Sequence, residues 1–136
     1  KVCLNEILYR YLDDYQEVYD YKGITLDVHE KNTFNITMNG TLAVVLITNL
    51  LKNAFVHNIY KGKIQIEITS SNIRFGNTGK DEHLDEKHIF ERFYQGSKKE
   101  GSTGLGLAIV DAICRQSQLS IQYQFVKGWH WFDISC

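Results

Sequence analysis

Two asparagines inside an apolar run are the residues of this chain whose placement most clearly asks for chemistry. Asn49 and Asn53 lie within residues 41–58, TLAVVLITNLLKNAFVHN. Their spacing of four puts them on one face of a helix. Leu42, Val45, Leu46, Leu50 and Ala54 form an apolar stripe at helical spacing, and Val44, Ile47 and Leu51 widen it. A buried carboxamide without a partner costs roughly 1–3 kcal/mol. Something polar must therefore lie against that face. Neighbouring backbone is one reading; a ligand or a metal is the other. His57, one turn past Asn53, is either a helix-end ring near free carbonyls or a ring placed beside a ligand.

A second stretch is suited to anions. Ser102-Thr103-Gly104-Leu105-Gly106 opens a run with helical apolar spacing, Leu105, Leu107, Ala108, Ile109, Ala112 and Ile113. Glycines let the backbone approach a phosphate, and the free N–H groups at a helix start attract negative charge. The plainer reading is a glycine-rich cap. It is not a Walker A loop, because no Lys-Ser/Thr follows, and the glycines are not in dinucleotide-binding order.

These residues need a scaffold. Residues 4–21 carry apolar positions at three and four and read as one amphipathic helix, with Gly23 as its stop. Residues 24–28 and 34–38 alternate as half-buried strands. Asn39-Gly40 makes a turn, with Thr41 or Asn39 as cap of the central helix. Residues 63–69 alternate through Ile64, Ile66 and Ile68, and a return strand starts at 73–75. Residues 76–86 read as loop, 86–90 as a short helix, and 95–103 as a mobile lid. Residues 104–116 make a second buried helix, and 119–126 and 129–134 a closing hairpin. Strands split by helices on one side give an α+β two-layer sandwich, its sheet covered on one face by helices.

The 136 residues fit one domain. A net charge of -1 gives no nucleic-acid or membrane-surface signal. No run approaches the ~18 apolar residues of a membrane span. Cys3, Cys114 and Cys136 read as free thiols in a reducing compartment. The histidines lack metal-site spacing, which argues against zinc.

Read together, three segments carry a resemblance. Residues 49–57, NLLKNAFVH, resemble the N box of the GHKL ATP-binding superfamily. Residues 89–93, IFERF, resemble the F box of its histidine-kinase branch, and residues 101–110, GSTGLGLAIV, its G2 box. They stand in the family's order and spacing, and the likeness runs from about Leu4 to the C-terminus. It implies the Bergerat fold, with a mixed sheet, and the catalytic ATP-binding domain of a sensor histidine kinase.

That domain would hold Mg²⁺-ATP and donate the γ-phosphate to a histidine on a separate dimerisation domain of the same protein, with a response regulator downstream. The resemblance makes Asn53 the Mg²⁺ ligand and gives Asn49 and Asn53 the catalytic roles. Asn49, where ATPase branches carry a glutamate, cannot act as a base, which favours transfer over hydrolysis. The resemblance adds His57, Asn77, Gly79, Phe90, Phe93, Ser102, Thr103, Gly104, Leu105 and Gly106 to the nucleotide site. It makes residues 1–22 a lead-in from the dimerisation domain, whose first turns would lack their partner. It implies a cytoplasmic domain without membrane or nucleic-acid contacts, in a parent protein that could be anchored in a membrane.

Five positions depart from the family, one of them mildly: Ser102 stands where many relatives have glycine. Asn77 stands for the aspartate that accepts from the adenine amino group; it can still accept, and its amide could also turn toward a guanine oxygen. Asp81 replaces a glycine, and Val56 and Gln95 replace phosphate-binding basic residues, which Lys98 and Lys99 could partly make up. These departures keep open a degenerate nucleotide-binding regulatory module; a GHKL serine kinase acting on a partner protein is a further alternative.

Overall fold

The computed structural model describes residues 1–56, 58, 61–79 and 106–136. Five strands make one mixed sheet: β2 (Thr25–Glu30), β4 (Lys63–Ile68), β5 (Asn72–Thr78), β6 (Ser120–Val126) and β7 (Trp129–Ser135), in the order β2-β4-β5-β7-β6. β2 runs parallel to β4 and every other pairing is antiparallel. A separate two-residue pairing joins β1 (Val2–Cys3) to β3 (Asn35–Ile36). The α-helices among the described residues are α1 (Leu4–Leu12), α2 (Gln16–Lys22), α3 (Gly40–Val56) and α4 (Gly106–Gln116).

The alternation read in the sequence decides which face is covered. Ile64, Ile66 and Ile68 of β4, Ile73 and Phe75 of β5, and Phe132 and Ile134 of β7 are buried. Leu46, Ile47, Leu50, Leu51, Ala54 and Phe55 of α3 and Val110, Ile113 and Cys114 of α4 join them in one core. Burying each large aliphatic side chain is worth roughly 1.5–3 kcal/mol. The other face of the sheet carries Glu67, Arg74, Trp129, Trp131 and Asp133. Arg74 pairs with Glu67 at 3.3 Å and lies over the Trp131 ring at 4.4 Å. The two-layer α+β sandwich expected from the sequence is the fold of the chain.

Several boundaries differ from the sequence reading. The expected helix over 4–21 is two helices joined by a 3-10 turn, Asp13–Tyr15. Tyr15 leaves helical geometry at φ -105°, ψ 10°, and its side chain instead serves α3. It stacks on Phe55 at 5.1 Å between ring centres, and its hydroxyl donates to the Thr48 carbonyl at 3.2 Å. Tertiary contacts thus override a pattern that reads as continuous. Gly23 does close α2 in the left-handed region at φ 63°.

The first turn of α1, expected to lack its partner, is covered within this domain: Leu4 and Leu8 are fully buried. Buried Asn5 ties α1 to the chain after β2. Its amide donates to Glu30 and to the Asn32 carbonyl, and its oxygen accepts from the Phe34 N–H. Asn39, not Thr41, caps α3, accepting from the Leu42 N–H at 3.1 Å. β5 runs on to Thr78, through positions read as loop, so Asn77 is a strand residue.

Candidate functional site

Asn49 and Asn53 are both half-buried on α3. The Asn49 amide donates to the Val45 carbonyl one turn back, at 2.8 Å. Such a bond tethers the side chain along its own helix. Its oxygen then faces α4: a Cβ built on Gly106 would come within 3.2 Å of Asn49 Oδ1. The two motifs that the sequence separates by over fifty residues therefore meet, and a glycine at 106 is what lets them approach. Among the described residues, none hydrogen-bonds the Asn53 side chain.

Asn77 is the most informative polar residue. It sits on the helix-facing side of β5 in register with Ile64 and His130, and only 3% of its surface is exposed. Its amide donates to the Thr78 carbonyl at 2.9 Å. Because a carbonyl can only accept, this contact fixes which end of the carboxamide is nitrogen. The oxygen is buried and, among the described residues, has no hydrogen-bond partner. Leaving a buried acceptor unpaired costs roughly 1–3 kcal/mol, so the arrangement suits a donor supplied from outside. An exocyclic amino group, as on adenine, is such a donor. Turning the amide toward a guanine oxygen, an option open in the sequence, would break the Thr78 contact. Gly79 follows β5 directly and is half-buried.

The sequence reading passed over the residues that brace this corner. Asn58 is 1% exposed. Its amide donates to the Lys63 carbonyl at 3.1 Å, and its oxygen accepts from the Thr78 hydroxyl at 2.8 Å. Thr78 Oγ1 also accepts from the Lys63 N–H at 2.8 Å. Lys22 of α2 donates to the carbonyls of Phe55 at 3.4 Å and Asn58 at 3.0 Å. Burial pushes the Lys22 ammonium below its ordinary range. The signal that could have found Asn58 was its position: a carboxamide straight after an apolar helix and before a clean strand. Nothing local marks Lys22.

The Val56 side chain, His57, Asp81, Phe90, Phe93, Gln95, Lys98, Lys99, Ser102, Thr103, Gly104 and Leu105 lie outside the described residues. So do the expected short helix over 86–90 and the lid over 95–103. Among the described residues, no group of three His, Cys, Asp or Glu side chains could hold a metal ion. No helix among the described residues is long and apolar enough to cross a membrane.

A helical layer over a mixed sheet, with Asn49 of α3 against the glycine start of α4 and a buried, unpaired acceptor at Asn77 of β5, is an arrangement suited to a nucleotide. Comparison with known proteins agrees. Residues 38–130 match the family described as histidine kinase-, DNA gyrase B-, and HSP90-like ATPase, and the chain belongs to that family. It is similar to the sensor histidine kinase RppB of Synechocystis, 36% identical over 94 residues, covering 61% of this chain and 21% of RppB. It is also similar to the heme sensor protein HssS of Staphylococcus aureus strain Newman, 30% identical over 128 residues, or 90% of this chain and 28% of HssS.

The chain thus spans less than a third of the length of these relatives. Among solved structures it resembles the mycobacterial sensor histidine kinase MprB, with TM-score 0.79, 19% identity and coverage of 98% of this chain and 94% of that one. The catalytic domain of histidine kinase ThkA gives TM-score 0.78 at 21% identity, covering 96% and 89%. At such identities these likenesses speak for the fold.

Proposed function

We propose that this chain is the ATP-binding catalytic domain of a sensor histidine kinase in two-component signalling. It binds Mg²⁺-ATP between α3 and the segment leading into α4, and presents the γ-phosphate to a histidine on a separate dimerisation domain of the same protein. A response regulator then receives the phosphoryl group. The single observation that carries the reading is the buried, unpaired Asn77 oxygen, an acceptor suited to the adenine amino group.

The remaining residues fit the same ligand. Asn53 offers a neutral oxygen to Mg²⁺, which favours oxygen ligands and keeps waters and phosphates around it. When bound, the ion neutralises phosphate charge. Asn49 holds α3 against the glycine start of α4, where backbone N–H groups can donate to an anion. Ser102, Thr103, Gly104, Leu105 and Gly106 would line the phosphates, and His57, Gly79, Phe90 and Phe93 would complete the nucleotide's surroundings. No carboxylate stands at Asn49 to activate water, so transfer to another group is favoured over hydrolysis. Phosphoryl transfer needs mainly positioning and charge stabilisation, which such a site supplies.

Support at the level of relatives comes from the sensor kinase names above and from ThkA, solved in complex with the response regulator protein TrrA. We place the domain in the cytoplasm, where ATP is available. The test supplies this chain with the helical domain of its own parent protein and labelled ATP. Acid-labile, base-stable label on that domain's histidine is the expected result. ATP binding without any transfer would favour the regulatory module instead. That outcome would trace to Asn77, Asp81, Val56 and Gln95, where the family's charged or glycine positions are lost.

A further inference from the structure

A chain of hydrogen bonds runs from α2 to the Asn77 carboxamide. Lys22 donates to the Asn58 carbonyl at 3.0 Å. The Asn58 side-chain oxygen accepts from the Thr78 hydroxyl at 2.8 Å. The Thr78 carbonyl accepts from the Asn77 amide at 2.9 Å. Both ends of the relay are anchored. The Lys22 carbonyl accepts from the Lys61 N–H at 2.6 Å, and Thr78 Oγ1 accepts from the Lys63 N–H at 2.8 Å.

We propose that Lys22, Asn58 and Thr78 are positioning residues that hold the Asn77 oxygen toward the base, so that the nucleotide preference of the site is set by this relay. The inference rests on the proposed nucleotide site and goes beyond it, because none of the three residues is among those proposed to line the nucleotide. The argument is one of geometry and inventory. A carboxamide presents a donor at one end and an acceptor at the other, and it can reverse. Only the Thr78 carbonyl, among the described residues, distinguishes the two ends of Asn77.

That carbonyl is held because the Thr78 hydroxyl bridges Asn58 and the Lys63 backbone. The Asn58 carboxamide is bonded at both ends, its oxygen to the Thr78 hydroxyl and its amide to the Lys63 carbonyl, so reversing it in this buried corner would lose both bonds. Lys22 completes the relay by fixing the Asn58 backbone and the open carbonyls at the end of α3, where a cation is favoured. The same contacts lie beyond Asn53 on α3, so the relay also ties the metal side of the site to α2.

The experiment measures ATP, GTP and adenosine affinities for the parent chain, Thr78→Val, Thr78→Ser, Lys22→Met and Lys22→Arg, with thermal midpoints beside them. Thr78→Val removes the hydroxyl at nearly constant volume. It is expected to lower the ratio of ATP to GTP affinity by roughly five- to tenfold, with Thr78→Ser restoring it. Lys22→Met is expected to lower the ratio less, with Lys22→Arg restoring it. Lower thermal midpoints with an unchanged ratio in both Thr78→Val and Lys22→Met would overturn the relay and leave the nucleotide site standing. Absence of ATP binding in the parent chain would instead overturn the nucleotide site. If Thr78→Val does not fold, Lys22→Met decides alone.

Discussion

Asn53 and Asn49 look equivalent in the sequence, and their surroundings separate them. The Asn49 amide is committed to the Val45 carbonyl, whereas Asn53 has no such bond among the described residues. Asn53→Ala should therefore leave the fold intact and remove most Mg²⁺-dependent affinity for ATP, by roughly tenfold or more, equivalent to at least ~1.4 kcal/mol. Calorimetry with and without Mg²⁺ reads this directly, and unchanged Mg²⁺-ATP affinity would make Asn53 an ordinary half-buried amide.

Cys114 shows the opposite kind of residue, one that packs and does no chemistry. It is 1% exposed on α4, and burial, with the nearby Asp111 adding to it, pushes its thiol up to about 12 from the ordinary 9.0. A raised pKa in the folded state means that the folded chain keeps a proton which the unfolded chain loses. This contribution to stability is complete below about pH 9 and is lost as the pH rises through about 12. Denaturation midpoints followed between those values should fall more steeply for the parent than for Cys114→Ala. Parallel slopes would contradict the burial account.

At the scale of elements, β5 is held from both sides. Its inner face carries Asn77, and its outer face at Gly76 is pressed by the Trp131 ring, to which a Cβ at 76 would come within 2.3 Å. Trp131 cannot easily retreat, because Arg74 lies over it and Trp129 stacks beside it at 5.6 Å. Gly76→Ala should thus cost about 1–3 kcal/mol, the usual penalty of overpacking. Urea denaturation would show it, and a loss below half a kilocalorie per mole would mean that the ring moves freely.

The same strand shows what was legible in the sequence. The apolar alternation through Ile64, Ile66 and Ile68 marks β4 because every second residue meets the core. Gly76, Asn77 and Thr78 read as loop, because glycine and asparagine seldom favour strands; only cross-strand pairing with Trp131, His130 and Trp129 makes them one. The break at Tyr15 was hidden for a similar reason. The spacing of Leu12, Tyr15 and Tyr19 fits one helix, and the ring contact with Phe55 that interrupts it comes from forty residues away. The motif residues Asn49, Asn53 and Gly106 could be named from types and spacing. Lys22, Asn58 and Thr78 could not, because what defines them is a set of long-range hydrogen bonds.

For the molecule as a whole, the sheet separates two environments. On the helix side lie α3, α4 and the Asn77 carboxamide. On the other side, Arg74, Gln122, Gln124, Trp131 and Asp133 line a shallow polar depression, bound to nothing that the nucleotide reading requires. The covering of Leu4 and Leu8 makes α1 part of the same core as α3, so the N-terminal segment and the site form one packed body.

The central claim is that Mg²⁺-ATP binds on the helix side, at the meeting of α3, α4 and the end of β5. Titration of the isotopically labelled chain with Mg²⁺-ATP, followed by amide and side-chain NMR shifts, tests it most directly. The account predicts saturable shifts of the Asn49, Asn53 and Asn77 carboxamides and of the Gly106 N–H, with the Gln122 and Gln124 carboxamides and the Trp129 indole unmoved. Shifts confined to Gln122, Gln124 and Trp129, or no saturable shift at all, would contradict it.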